Sequence, residues 1–306
     1  MRVLKPLGYP KMAMPEVPLK LIQSADEMRA ACRHARADQH RLGFVPTMGA
    51  LHEGHLSLVR AARGQCDVVA ASIFVNPTQF GPNEDFTRYP RNLEQDRKLL
   101  EAERVDLLFA PSLEEMYSPG AAAFVEVKEL SEKLCGRSRP GHFRGVTTVV
   151  AKLFNIVLPS VAYFGQKDAA QAAIIRQMAR DLNFDVEIVV CPIVRESDGL
   201  ALSSRNAYLS PADRKQASVL YRALSRIQFV ADQGERSSAK LIEAGKSVLR
   251  EEPAVRLDYL EIVHPDTLQP VSEIAGSALV AVAALVGGTR LIDNIVLRGT
   301  SQPSRF

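Results

Sequence analysis

Between residues 19 and 191 the chain alternates short apolar runs with longer amphipathic stretches, and few folds accept that pattern. Strands alternating with helices of this length build a parallel sheet covered on both faces. Strands are predicted at 19–22, 42–46, 68–75, 105–110, 123–127, 161–164 and 186–191. The run at 68–75, mostly β-branched and small apolar, suits a strand buried on both faces. Helices are predicted at 56–63, 93–103, 147–157 and 169–182. Another opens at Ser24-x-x-Glu27, where Ser and Glu can satisfy each other's orphan amides in a capping box. Ligands of such sheets sit beyond the carboxyl ends of the strands.

The pattern changes after Cys191-Pro192. Residues 211–250 read as helical and charged. Residues 256–297 read as strands separated by Pro265, Pro270 and Gly287-Gly288. Three segments are therefore expected. A flexible lead-in spans 1–18, with four prolines and Met14 as an alternative start. A Rossmann-like ligand-binding domain spans 19–193, and a smaller α+β domain that hinges and closes spans 194–306. The most apolar run, 278–286, is far short of the roughly 20 residues that cross a bilayer and reads as a buried strand.

Composition narrows the class of partner. Of 306 residues, 46% are hydrophobic and 24% charged, as in a globular enzyme. There is no Trp, and a net charge of +3 is too small for a DNA-binding surface. Neither a nucleic acid nor a membrane is expected as partner. Cys32, Cys66, Cys135 and Cys191 form no CxxC pair; buried, reduced thiols in the cytoplasm are the expectation. No charged region leading into an apolar one marks a signal peptide.

Two distant motifs carry the chemistry. Pro46-Thr47-Met48-Gly49-Ala50-Leu51-His52-Glu53-Gly54-His55 sits at a strand-to-helix junction. Helix N-termini present free amides and a positive dipole end, which suits phosphate. Two imidazoles three residues apart can both donate to phosphate oxygens as charge builds. A zinc site would want a third ligand at recognisable spacing, and HExxH is absent. Leu202-Ser203-Ser204-Arg205-Asn206 supplies two hydroxyls and a guanidinium. Alone it is a common polar turn; with the histidines it suggests a nucleoside triphosphate held from two sides, with chemistry at its α-phosphate.

Other candidates depend on that pair. Gly165-Gln166-Lys167-Asp168 follows a strand and precedes a helix, so Lys167 suits a triphosphate and Asp168 a helix cap. No P-loop and no GxGxxG is present. Asn76 and Gln79 end a strand where substrate should sit, and uncharged Gln79 suits a hydroxyl or carboxylate. Gln171 lies one turn into the following helix and either faces the same pocket or a surface. Asp96 on a helix either orients a magnesium ion or is a solvated carboxylate. His142-Phe143-Arg144-Gly145 adds a second cationic cluster.

Taken with Ile73 to Phe80, Tyr89-Pro90-Arg91, His142 to Val150 and Tyr163 to Asp168, these motifs make the chain resemble the pantothenate synthetase (pantoate–β-alanine ligase) family over nearly its whole length outside the lead-in. The resemblance implies a HUP-type Rossmann-like fold, a homodimer and two half-reactions. Pantoate attacks the α-phosphate of Mg-ATP, giving a pantoyl adenylate; the β-alanine amine then displaces AMP. It further implies no tightly bound organic cofactor. It implies that ATP is bound by Met48 through His55, Gly165 through Asp168, Val194 and Leu202 through Arg205. His55 matches the proton donor, and Gln79 and Gln171 match pantoate contacts. His52, His55, Lys167, Ser203, Ser204 and Arg205 would stabilise the charge of adenylation. Gln95 stands where some members carry an acid, which bears on the magnesium ligands. Competing expectations are another nucleotidyltransferase that leaves AMP on its product, and a nucleotide-binding module without turnover.

Overall fold

In the computed structural model residues 18–82 and 84–298 are described, so the expected lead-in lies outside the described residues apart from Pro18. A six-stranded sheet is built from β1 (Lys20–Ile22), β2 (Leu42–Thr47), β3 (Val68–Ile73), β4 (Leu107–Phe109), β5 (Val161–Gly165) and β6 (Glu187–Cys191). Its order is β1-β4-β3-β2-β5-β6, and every recorded pairing is parallel. The chain steps from β2 outward through β3 to β4, then returns to place β5 on the other side of β2. That reversal is the switch point where a doubly wound sheet opens a crevice at its carboxyl edge. The two motif-bearing turns leave from β2 and β5, the strands that flank it.

Helices α1 (Ala25–Ala37), α2 (Glu53–Gln65), α3 (Leu93–Ala102), α4 (Leu113–Met116), α5 (Cys135–Ser138), α6 (His142–Val157) and α7 (Ala169–Asp181) accompany this sheet. Only half of the expected capping box at α1 is made. Ser24 Oγ accepts from the Glu27 amide at 3.5 Å, while the Glu27 carboxylate turns to Lys20 at 2.9 Å. The strand expected at 123–127 does not form. Its segment is extended but pairs with no strand, because α6 supplies its partners: Thr148 Oγ1 accepts from the Val125 amide at 3.0 Å and Thr147 Oγ1 donates to the Val125 carbonyl at 2.5 Å. β-Propensity without a neighbouring ladder makes no strand.

The second unit holds α8 (Pro211–Ala217), α9 (Val219–Asp232), α10 (Ser238–Leu249) and an antiparallel sheet of β7 (Arg256–Val263), β8 (Ala278–Val286) and β9 (Thr289–Leu297). Gly287 and Gly288 both lie at positive φ, +54° and +81°, as the two-residue β8–β9 hairpin requires. Strand β8 explains its own continuous apolarity. Side chains alternate between faces, so Ala278, Val280, Val282 and Ala284 join the core under α9 and α10, while Leu279, Ala281 and Ala283 join the core of the first unit. The second sheet thus packs against the first unit, and Asn294 on β9 reaches the turn that follows β5. No helix among the described residues is long and apolar enough to cross a membrane. All four cysteines are free and buried.

Candidate active site

The crevice is a cavity of about 220 Å³ in which both motifs meet. Met48, His52, Gly54 and His55 line it from the β2 turn; Gly165, Lys167, Asp168 and Gln171 from the β5 turn and α7. Gln79 enters from below, and Val194, Leu202, Ser203, Ser204 and Arg205 from the second unit's side.

The two histidines are locked by each other. His52 is the N-cap of α2, and its Nδ1 accepts from the Gly54 amide at 3.1 Å. The His52 amide donates to His55 Nδ1 at 3.3 Å, and the rings lie tilted by 40° with centroids 4.1 Å apart. Both Nδ1 atoms are acceptors, so both rings carry their proton on Nε2. Burial pushes His52 down to about 4, helped by the Lys167 charge. Burial pushes His55 down to about 3, helped by His52 and then Lys167. At neutral pH the pair is therefore two uncharged Nε2–H donors. The helix N-terminus is less free than the sequence suggests, since the Gly54 amide is already taken.

The loop before them is held from α3. Gly49 and Ala50 both adopt positive φ, +82° and +51°. The Ala50 and Leu51 amides each donate to Asp96 at 2.8 Å, one to each carboxylate oxygen. Asp96 is 2% exposed, and burial raises its pKa while the two amides oppose the rise. A carboxylate this buried is not the solvated acid that was one expectation: each oxygen accepts from a backbone amide, and the carboxylate anchors a strained turn. Among the described residues no three His, Cys, Asp or Glu side chains converge as a metal site. Gln95, its neighbour, is exposed.

Several expected residues act at one remove. Asn76 is 1% exposed; its Nδ2 donates to Gln79 Oε1 at 3.1 Å and to the Gly145 carbonyl at 3.0 Å, so it orients Gln79 instead of lining the cavity. Gln79 Nε2 donates to Met48 Sδ at 2.9 Å. Glu53 is exposed and pairs with Arg60 on the outer face of α2. Gln166 turns to Asn294 at 2.9 Å. Asp168 occupies the N-cap position of α7 but makes no side-chain cap bond; its carboxylate lies 3.9 Å from Lys167 Nζ. Arg144 leaves the site, its guanidinium 5.0 Å above the Phe124 ring.

Arg205 is gripped by Asp85 through two bonds of 2.8 and 2.9 Å. Burial works against the cation, but the carboxylate wins and raises its pKa. Ser204 Oγ donates to the Ala50 carbonyl at 3.1 Å, tying the second motif to the first. The sequence reading missed Arg139 and gave Tyr89 no site role, yet both line the cavity. Arg139 donates to Glu84 at 2.7 Å and faces His142 Nε2 at 3.0 Å. His142 Nδ1 donates to the Gln79 carbonyl at 2.8 Å, so Nε2 is its acceptor and the ring is neutral. Burial, with Arg139, pushes this histidine down to about 4. The nearest signal for Arg139 was its place three residues before His142 in a Gly/Pro-rich turn.

A family model described as "Pantoate-beta-alanine ligase" matches residues 20–296. The pantothenate synthetase of Koribacter versatilis is 61% identical over 280 residues, covering 92% of this chain and 96% of that protein. That of Acidobacterium capsulatum is 59% identical over 299 residues, covering 94% and 99%. Among solved structures, pantothenate synthetase from Thermus thermophilus superposes with a TM-score of 0.86 at 53% identity, over 90% of this chain and 98% of that one. The pantoate-beta-alanine ligase of Francisella tularensis, complexed with Beta-gamma ATP and Beta-alanine, gives 0.75 at 36% identity, over 91% and 97%.

Proposed function

The chain belongs to the pantoate–β-alanine ligase family and carries out ATP-dependent ligation of pantoate to β-alanine, and we propose that it does so in two steps around the paired histidines. Pantoate's carboxylate attacks the α-phosphate, a pantoyl adenylate forms and pyrophosphate leaves. The β-alanine amine then attacks the acyl carbon, and AMP leaves. One observation carries the reading: His52 and His55 have both Nδ1 atoms engaged, which leaves two fixed Nε2–H donors for the α-phosphate oxygens.

The remaining roles follow from the cavity wall. Lys167, Ser203, Ser204 and Arg205 meet the charge that builds on the departing pyrophosphate. Gln79 and Gln171, which bring no charge, hold pantoate. The backbone of Met48 through Leu51, Gly165 and Val194 shapes the nucleotide pocket. No covalent nucleophile is needed, because positioning and charge stabilisation carry the barrier. On this reading His55 donates a hydrogen bond as neutral imidazole, since its pKa of about 3 leaves it uncharged at pH 7. The adenylate must be kept from water, and the segment from Val194 to Arg205 along the cavity wall suits that task.

Magnesium enters as the complex with ATP, whose phosphates are its ligands. The chain works as a homodimer. The extended segment 121–126 supports this, with Phe124 54% exposed on it. The four buried free thiols fit the cytoplasm. Sedimentation at micromolar concentration tests the dimer, and a monomer would refute it. The chemistry is tested by pantoate-dependent exchange of labelled pyrophosphate into ATP without β-alanine. Exchange is expected, with AMP as the final nucleotide product; ADP would overturn the mechanism.

A further inference from the structure

Lys167 is carried by a 3-10 turn, Gln166–Asp168, that lacks a side-chain cap of its own. Its anchor comes from the other unit. Asn294 on β9 is 3% exposed. Its Nδ2 donates to the Gln166 carbonyl at 2.9 Å and to the Lys167 carbonyl at 3.0 Å. Its Oδ1 accepts from Gln166 Nε2 at 2.9 Å. One side chain of the second sheet therefore grips the turn at three points. The grip is itself braced, because Asp293 Oδ1 accepts from the Asn294 amide at 2.7 Å and Arg195 holds Asp293 through bonds of 2.6 and 2.9 Å.

We propose that Asn294 is a positioning residue for adenylation: it sets the Lys167 turn against the nucleotide only while the second sheet is packed against the first unit. The chemistry explains the division of labour. Lys167 stabilises the pyrophosphate that leaves in the first half-reaction. The second half-reaction releases AMP after pyrophosphate has gone, so it does not draw on that stabilisation. Asn294 thus biases one half-reaction, and it ties triphosphate chemistry to the seated position of the second sheet. The inference rests on the two-step reading above.

The test substitutes Asn294→Asp, which keeps the shape and the acceptor for Gln166 but opposes two carbonyls with an oxygen. Two rates are measured: pantoate-dependent pyrophosphate exchange, and single-turnover release of AMP by β-alanine from enzyme-held pantoyl adenylate. Exchange should fall roughly ten- to a hundredfold, as expected when buried hydrogen bonds are broken. The aminolysis rate and the KM for pantoate should hold. If the Asp variant fails to fold, Asn294→Ser is read in the same way. Equal loss in both half-reactions would reduce Asn294 to a structural role and overturn the proposal, as would wild-type exchange in a folded variant. The wild-type protein separates the two readings. If it shows no exchange, the two-step reading itself fails; if it exchanges and the variants match it, only the role of Asn294 fails.

Discussion

Gly145 is the most exacting residue near the pantoate side of the cleft. It lies in the first turn of α6, against the turn that carries Gln79. A Cβ at this position would sit 2.6 Å from the Gln79 amide nitrogen and would strike the Thr78 carbonyl, where ordinary contact begins at 3.4 Å. Backbone meets backbone here, so no flexible side chain can swing aside. In Gly145→Ala the turn must retreat by about 1 Å to clear the Thr78 carbonyl, and displacements of that size at reacting groups can cost about a hundredfold in rate. The Gly145 carbonyl also accepts from Asn76, which in turn orients Gln79, so both supports move together. We expect kcat/KM for pantoate to drop roughly 30- to 100-fold, while the KM for ATP changes far less, because the recorded bonds of His52 and His55 do not involve the Gln79 turn. Overpacking should lower stability by about 1–3 kcal/mol. Pyrophosphate exchange against varied pantoate and then varied ATP, with a thermal melt on the same sample, gives all three numbers. A folded variant with wild-type pantoate dependence would refute the close-approach argument.

His55→Ala removes one of the two fixed donors, so exchange should fall roughly 10²- to 10³-fold in a folded protein; near-normal turnover would end its proposed role. Asp96→Asn leaves one of two loop amides facing an NH2 group, and the KM for ATP should rise about tenfold as the Gly49–Leu51 turn loosens; ATP titration of exchange checks this, and an unchanged KM would free Asp96 of the anchoring role. His52, His55 and His142 are held at about 4, 3 and 4 against an ordinary 6.5. Below pH 6.5 the unfolded chain takes up protons that the native chain refuses until near pH 4. Stability should therefore fall as pH drops from 6.5 towards 4, by up to about 1.4 kcal/mol per pH unit for each histidine. Urea unfolding at pH 7, 6 and 5 measures it, and a flat profile would contradict the buried neutral rings.

The strand and helix alternation was legible because apolar period and turn residues are local properties. The β8–β9 hairpin announced itself through Gly287-Gly288, and β8 through its unbroken apolar run. The failures share one cause, which is partnership across distance. Residues 123–127 have strand composition, yet their backbone is claimed by Thr147 and Thr148. Asp96 read equally well as a solvated helix carboxylate, but it is buried by amide partners 45 and 46 residues upstream. Asn76 and Glu53 have the right chemistry at the right address and point elsewhere. Arg139 was invisible because nothing in its neighbourhood tells which of Arg137, Arg139 and Arg144 turns inward. Tautomers were beyond reach as well, since they depend on a ring nitrogen meeting a particular amide.

The cations of the cleft come already paired. Arg205 is held by Asp85, Arg139 by Glu84, and Lys167 lies near Asp168. At first sight these acids work against a triphosphate. Consider what bare cations would do. They would bind ATP, pyrophosphate and AMP alike, and uniform binding does not accelerate the chemical step. The reaction also releases three anionic products (pyrophosphate, AMP and the ligated carboxylate), each of which must leave. Pairing each arginine with a fixed carboxylate lowers the net field while keeping the guanidinium oriented. What remains is directional: N–H groups aimed at set points, effective where charge appears during transfer and weaker towards anions placed elsewhere. The neutral histidines follow the same rule, as donors without charge. The site thus discriminates by where negative charge develops, and its modest net charge is part of how it turns over.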